Sequence, residues 1–144
     1  INCIFGNLVM KRAETCWKPD MTTTITICDT CKREGWNAET QSQTDGELLA
    51  EAIEAAAKNA TDVQTRRHSC LMGCNQGCNI AIQAEGKLTY VMGRFEPDAD
   101  SAQGIVDYAE KHAASEKGQV PFREWPQAVK GHFVSRIPTL PAAE

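Results

Sequence analysis

The residues of this chain whose types and spacing suit chemistry are five cysteines in two groups. The first group has the spacing C-x₂-C, and the second has the spacing C-x₃-C-x₃-C. The members are Cys28, Cys31, Cys70, Cys74 and Cys78. Thiolates gathered at one place bind soft metal ions or iron–sulfur clusters, or exchange disulfides. The sequence therefore predicts a cysteine site with one of these chemistries.

The two groups are predicted to meet because each adjoins a strand of one sheet. Residues 24–27 alternate Thr and Ile and predict a strand that ends at Cys28. Residues 63–67 predict a second strand, which leads to Cys70, and residues 78–83 predict a third. Strand ends in one sheet lie close in space, so the groups can converge although 38 residues separate them.

Two helices and a hairpin are predicted to complete the fold. Thr44 and Glu47 have the spacing of a capping box, and an apolar helical face follows them. Residues 88–95 form a hairpin with the third strand, and a second helix is predicted after Pro97. The order β-α-β-β-β-α predicts an α/β fold in which two helices pack on a mixed sheet with a parallel first crossover.

The chain divides into three predicted parts. Residues 1–20 are interpreted as an N-terminal extension, because Met21 leads directly into the first strand like a natural start. Residues 21–116 form the predicted domain. Residues 117–144 are too aromatic for a disordered tail and too rich in proline for a long helix, so they predict an irregular C-terminal arm packed on the domain or held by a partner.

Composition and charge exclude several classes of function. The chain has 144 residues, of which 42% are hydrophobic and 24% charged, as in one soluble globular domain. No stretch approaches the roughly 20 apolar residues of a membrane span. Residues 21–120 carry nine basic and fifteen acidic residues, a net charge of −6, which disfavours nucleic acid and anionic membranes.

The number of cysteines indicates a reducing compartment. Seven is an odd number, which argues against a fully paired disulfide framework, and the opening residues lack the pattern of a secretory signal. A cytoplasmic location is therefore expected, where thiols stay free for metal. Cys3 and Cys16 lie outside the spaced groups, and no role in the site is expected for them.

Zinc binding and thiol–disulfide exchange are open alternatives. Zinc ribbons favour C-x₂-C pairs about 15–20 residues apart, a poor match to the 38-residue gap here, but a zinc or cobalt binding protein or metallochaperone remains an alternative. A CxxC thiol–disulfide oxidoreductase is another, although residues 32–37 show no helical pattern that would place a helix dipole at Cys28. The histidines are interpreted as surface or capping residues: His68, His112 and His132.

The second cysteine group resembles part of a known family. Residues 70–77, followed by a strand, resemble the second ligand loop of the thioredoxin-like [2Fe–2S] ferredoxins, and the element order over residues 22–114 is similar to theirs. Over residues 24–141 the chain is also similar to a bacterial family of predicted metal-binding proteins of unknown function. That similarity is carried by C-x₂-C, C-L-x₂-C-x₂-G-C, the Lys87-Leu88-Thr89-Tyr90 hairpin and the Arg136-Ile137-Pro138 tail.

These resemblances imply a thioredoxin-like fold and one [2Fe–2S] cluster held by four thiolates, in an electron carrier that is not an enzyme. Five thiols are available, so one assignment stays open. Cys78 shares a strand face with Ile80 and Ile82 and is expected to point into the packing, whereas Cys31 lies in a long polar loop that can bend. The preferred set is Cys28, Cys31, Cys70 and Cys74, with Cys78 the least favoured ligand.

The partner implied by this function is a redox protein. The acidic body predicts that it docks on a basic surface of a reductase or an oxidase, and that docking weakens as salt rises. The sequence does not decide between a monomer and a homodimer.

Overall fold

The computed structural model describes residues 22–141, which contain five strands and two helices. The elements are β1 (Thr23–Cys28), α1 (Asp45–Ala57), β2 (Val63–His68), β3 (Ile80–Gln83), β4 (Thr89–Met92), α2 (Ala99–Ala114) and β5 (Phe133–Ile137). Single turns of 3₁₀ helix form at Cys74–Gln76, Phe122–Glu124 and Gln127–Val129. The predicted extension 1–20, the start at Met21, and both Cys3 and Cys16 lie outside the described residues.

The strands form one mixed sheet in the order β2-β1-β3-β4-β5. β1 and β2 are parallel, while the β1–β3, β3–β4 and β4–β5 pairs are antiparallel. The α/β class, the parallel first crossover and the antiparallel hairpin are therefore confirmed, in an arrangement consistent with a thioredoxin-like fold. Within residues 22–141, no helix has both the length and the apolar character to cross a membrane.

The core lies between the sheet and the two helices, which also pack against each other. Alternate residues of the central strands face it, and Ile25 lies opposite Ile82 in the antiparallel register. Each fully buried isoleucine contributes about 2 kcal/mol through the apolar area removed from water. This packing fixes the register of β1 and β3, and so fixes where the residues that follow or precede these strands emerge.

Both helices begin at polar caps, and the cap of α1 is the one that the sequence predicts. The Glu47 N–H donates to Thr44 Oγ1 at 3.0 Å, and the Thr44 N–H donates to the Glu47 carboxylate at 3.2 Å. The capping box is thus confirmed. At α2, the Ser101 N–H donates to Asp98 Oδ1 at 2.8 Å. Each cap satisfies an amide that would otherwise lack a partner in the first helical turn.

The C-terminal arm differs from the irregular segment that the sequence predicts, because part of it is a strand. β5 pairs with β4 and becomes an edge of the sheet. Phe133 stacks on Trp125, with ring centroids 4.4 Å apart, and packs edge-on against Tyr90 at 5.6 Å. The prediction of an irregular arm is therefore wrong for Phe133–Ile137. The irregular parts are the segment before this strand, where two short 3₁₀ turns form, and the proline-containing residues 138–141 after it.

The end of the sheet where β1 begins is closed by a buried polar network around His112, which is fully buried and not at the surface as expected. The Leu88 carbonyl can only accept, so His112 Nε2 donates to it at 2.7 Å. His112 Nδ1 then accepts from the Thr23 hydroxyl at 2.8 Å. The Lys87 ammonium donates to the carbonyls of His112 and Ala113, which belong to the last turn of α2. These bonds give both ring nitrogens of His112 and the Lys87 ammonium partners inside the molecule.

Candidate cysteine site

The cysteine-bearing segments lie together at the other end of the sheet. Cys28 is the last residue of β1, and its N–H donates to the Asn79 carbonyl at 3.2 Å. The Asp29 N–H donates to the carbonyl of His68, the last residue of β2, at 3.1 Å. Cys78 comes two residues before β3. The ends of three strands thus carry the two cysteine groups to one place, as the sequence predicts.

Three of the five thiols are buried there. Cys28, Cys31 and Cys78 are 2%, 4% and 0% exposed. The prediction that Cys78 points into the packing with Ile80 and Ile82 is confirmed. Cys31, expected on a loop free to bend, is instead fixed, because its thiol donates to Asn79 Oδ1 at 3.2 Å in the interior.

The C-x₂-C loop is held against the start of α1, although 13 residues separate Cys31 from that helix in sequence. The Gly46 N–H donates to the Cys31 carbonyl at 2.9 Å, and the Thr44 hydroxyl donates to the Asp29 carbonyl at 2.5 Å. A Cβ at Gly46 would overlap the Cys28 carbonyl oxygen, so only glycine allows this approach. The C-x₂-C motif does not open a helix, but it lies beside a helix N-terminus.

The rest of that loop is anchored by its tryptophan. The Trp36 indole N–H donates to the Gln43 carbonyl at 2.8 Å, and the Lys32 ammonium lies 4.3 Å from the centre of the Trp36 ring. The Arg33 N–H donates to the Asp45 carboxylate at 2.6 Å. Trp36 therefore secures a long polar segment, which keeps Lys32 and Arg33 beside the cysteines.

The other two thiols, Cys70 and Cys74, are exposed on the loop between β2 and β3. Cys70 Sγ accepts the Met72 N–H at 3.3 Å, and Met72 at the tip of the loop is 87% exposed. The side-chain amide of Asn79 packs directly on Gly73, where a Cβ would overlap it. Asn79 thus touches both cysteine groups. The peptide bond between Gly77 and Cys78 is cis.

The buried thiols have different proton affinities. Burial acts to raise the pKa of Cys28, but when Cys28 ionises the single Cys31 S–H can turn from Asn79 to donate to it, and this bond, with those from Thr30 and the Leu71 backbone, leaves the pKa below the usual thiol value. Burial raises the pKa of Cys31 to about 12, and its hydrogen bond to Cys28 adds to the effect. Burial, with the nearby Asp45 carboxylate, also raises the pKa of Cys78 to about 12. Cys28 is therefore the first of the three to become a thiolate.

A solvent-filled groove of about 620 Å³ opens beside Cys74. Its walls are polar, and three of its side chains are cationic. The lining residues are Lys32, Arg33, Glu34, Cys74, Asn75, Gly77 and Arg94. The groove thus joins one exposed thiol to a local excess of positive charge.

The structure brings Cys28, Cys31 and Cys78 into one buried cluster and leaves Cys70 and Cys74 on the adjacent exposed loop. Over residues 22–141, no three side chains of His, Cys, Asp or Glu form a group that could hold a metal ion as they stand. Sequence reasoning missed Asn79 and Arg94. Asn79 had a usable signal, since it directly follows Cys78, but Arg94 approaches Cys74 only through the fold.

Comparison with known proteins gives one match. Residues 25–139 match a family described as proteins of unknown function, DUF1636, which agrees with the resemblance to a family of unknown function. No curated protein and no solved structure matches the chain. The match covers most of the chain, and the protein belongs to the DUF1636 family.

Proposed function

We propose that this protein is a small electron carrier that binds one [2Fe–2S] cluster through cysteine thiolates. The observation that carries the proposal is the meeting of five free thiols, from two distant groups, at one end of the sheet. The backbone contact between Leu71 and the Cys28 sulfur links the exposed loop to the buried cluster directly. This chain performs no substrate chemistry under the proposal.

The types of donor fit such a cluster, and the thiols would draw closer together on binding it, since no three of the described side chains form a metal-binding group as they stand. Thiolates are the usual ligands of [2Fe–2S] centres, and four of them are needed. Within residues 22–141 the site offers five sulfur donors and no nearby pair of histidines that would indicate a Rieske centre. A bound cluster supplies one-electron redox chemistry. The protein's part is to hold four thiolates, to shield two of them from water, and to leave two at the surface.

The fourth ligand is the open part of the assignment. Cys28, Cys70 and Cys74 belong to the proposed set in either case. Cys31 remains our preferred fourth ligand because its thiol contacts Cys28, whose pKa is already lowered. The argument from loop freedom no longer separates Cys31 from Cys78, because both thiols are buried.

Anaerobic reconstitution of the full chain with iron and sulfide tests the proposal. The expected product is red-brown and contains about two irons and two sulfides per chain. A colourless protein with stoichiometric zinc, or a protein with stoichiometric cobalt and no sulfide, would overturn it in favour of a metal-binding protein or metallochaperone. Metal and sulfide analysis of the same sample separates these outcomes.

Two variants test the ligand assignment. Cys31→Ser is expected to lose or strongly alter the visible absorption, while Cys78→Ala keeps it and loses some stability. Cys3→Ser is the control, since that cysteine lies outside the spaced groups. The reverse pattern would transfer the fourth position to Cys78.

Thiol–disulfide exchange is a second candidate, which the hydrogen bond between Cys28 and Cys31 favours. The Cys28 thiolate would attack a disulfide of a substrate protein, and one substrate sulfur would leave as a thiolate. The Cys31 thiol, deprotonated as it reacts, would then attack Cys28 and release the second substrate thiol. An external dithiol would reduce the Cys28–Cys31 disulfide that remains.

Insulin reduction by the metal-free protein, with dithiothreitol as the reductant, tests this second candidate. Turnover well above that of dithiothreitol alone, abolished in Cys28→Ser and kept in Cys70→Ser, would favour the oxidoreductase over the electron carrier. A reducing compartment such as the cytoplasm suits both functions, because it keeps these thiols free.

A further inference from the structure

The surface at which a partner can approach the cysteine site is small and well defined. Of the five thiols, Cys28, Cys31 and Cys78 are at most 4% exposed, whereas Cys70 and Cys74 are open to solvent. Electron exchange falls steeply with distance, so a redox partner must meet the loop that carries these two. Cys74 lines the groove, while Cys70 does not.

The charge on this surface is opposite to that of the whole molecule. Three cationic side chains and one carboxylate line the groove, a local charge of +2, although the chain carries −4. Among the described residues, only Arg33 of these three cations has a carboxylate within ion-pair distance, and it lies 3.8 Å from Glu96, at the outer limit of an ion pair. Over residues 22–141, Lys32 and Arg94 form no ion pair, and Lys32 rests instead on the Trp36 ring.

The surface also has an apolar contact point. Met72 stands at the tip of the loop, between Cys70 and Cys74 in sequence, with 87% of its area exposed. Methionine and arginine are enriched in protein–protein interfaces, where an apolar centre is surrounded by a polar rim. Met72, on the same loop as Cys74, and the arginines of the groove, Arg33 and Arg94, supply these residue types.

We propose that the groove beside Cys74, together with Met72, is the docking surface for a redox partner protein whose own surface is acidic around a small apolar patch. This inference rests on the proposed electron-carrier function, and it replaces the expectation of a basic partner that the net charge suggests. Charge complementarity at the groove steers the partner toward Cys74, while the acidic remainder of the molecule disfavours other orientations.

Site-resolved labelling of the thiols in the reduced, metal-free full chain tests the local charge. The anionic disulfide dithiobis(nitrobenzoate) and the neutral disulfide dithiodipyridine both react with a thiolate to give a mixed disulfide and release one aromatic thiolate. Mass spectrometry gives the initial rate at Cys74 relative to Cys70, which is an internal control because it is exposed but outside the groove.

The anionic reagent is expected to favour Cys74 over Cys70 by about threefold or more relative to the neutral reagent, and high salt should remove the difference. Arg94→Gln should remove most of it, while Lys111→Gln, an exposed change on α2, should leave it intact. Equal ratios for the two reagents would overturn the proposal.

The nature of the partner is tested in the same assay with polymers. Poly-L-glutamate, as the probe for an acidic protein surface, should slow neutral labelling of Cys74, and poly-L-lysine should not. Stronger protection by a single-stranded DNA oligonucleotide of equal charge would assign the groove to nucleic acid and overturn the proposal. Because these measurements use metal-free protein, a failure of cluster binding and a failure of docking are seen separately.

Discussion

The polar groups at the two ends of the sheet differ in whether they have partners inside the protein or are available to bind something else. At one end, His112, Thr23, Leu88 and Lys87 form a network in which both His112 ring nitrogens and the Lys87 ammonium have internal partners. At the other end, five thiols meet, two of them exposed, beside a cationic groove.

This difference separates the part of the molecule that maintains the fold from the part that is available for binding. A buried polar group with all its partners is costly to change, because each lost bond leaves a desolvated atom behind. Burial of a thiol without a strong hydrogen-bond partner costs little free energy, and coordination of a soft metal ion by the thiolate is strongly favourable. The closed end should therefore respond to mutation and acid, and the cysteine end to alkali and metal.

The largest expected effect is the response of the cysteine end to alkali. Cys31 and Cys78 have pKa values of about 12 in the fold, above the ordinary 9.0. Unfolding then releases protons above pH 9, so the stability that these thiols contribute is complete below pH 9 and is lost as pH rises toward 12. The loss is at most about 1.4 kcal/mol per pH unit for each thiol. Cys28 has the opposite slope near pH 9, because its pKa is lowered in the fold, and its contribution becomes constant once the unfolded thiol is also ionised.

Urea unfolding of the metal-free protein between pH 8 and 11 measures this loss. Other groups also titrate in alkali, so Cys78→Ala is the control that isolates one thiol. Its deficit in stability relative to the wild type should shrink as pH rises above 9. A deficit independent of pH would show that Cys78 titrates normally in the fold.

Next in size is the truncation of the closed end. His112→Ala removes a fully buried ring and leaves the Thr23 hydroxyl and the Leu88 carbonyl without partners, so we expect a loss of about 3 kcal/mol in the free energy of unfolding. The exposed variant His68→Ala should stay within about 0.5 kcal/mol of the wild type. Urea unfolding at pH 7 makes the comparison, and similar losses for the two variants would contradict it.

A smaller effect is the response of the closed end to acid. Burial, and then the nearby Lys87 charge, lower the pKa of His112 below 6.5, while its bond to Leu88 acts the other way. The unfolded chain then binds the extra proton, so the stability from this histidine is complete above pH 6.5 and is lost as pH falls through its pKa in the fold. We expect the free energy of unfolding of the wild type to fall between pH 6.5 and 5. In His112→Gln, whose side chain can still donate to Leu88, the urea unfolding midpoint should change less between pH 6.5 and 5 than it does in the wild type.

The smallest effect distinguishes buried from exposed thiols. Cys78→Ala should cost about 1 kcal/mol through lost packing, whereas Cys70→Ala should change the free energy of unfolding by less than about 0.5 kcal/mol. Denaturant midpoints of the metal-free variants measure both. If Cys70→Ala proves as costly, the exposed loop contributes more to the fold than its contacts indicate.

Much of the fold could be predicted from the sequence because its signals are local. Alternation in β1, the capping box at Thr44 and the apolar faces of both helices each depend on residues a few positions apart. β5 was not predicted from the sequence because the prolines around it obscure the strand pattern. Its partner β4 is also distant in sequence, since α2 lies between the two strands. The burial of His112 was not predicted either, because its partners Thr23 and Leu88 are distant in sequence.

The candidate site could be predicted in composition and not in detail. The spacing of the cysteines indicated their convergence, and the pleat of β3 indicated that Cys78 is buried. The burial of Cys31 depends on Asn79, which is 48 residues away, and the charge of the groove depends on Arg94. Net charge is a sum over the whole chain and cannot show that a local surface has the opposite sign.

Gly46 has a mechanical consequence for the cysteine end. No side chain stands between the backbone at the start of α1 and the carbonyl of Cys28, and atoms of Asp29 lie 3.0 and 3.1 Å from where a Cβ would be. The start of α1 and the C-x₂-C loop are therefore in direct backbone contact, with no flexible side chain between them. A movement of α1 would therefore shift the backbone of Cys28 as well, since no side chain at the contact can change its conformation to absorb the movement.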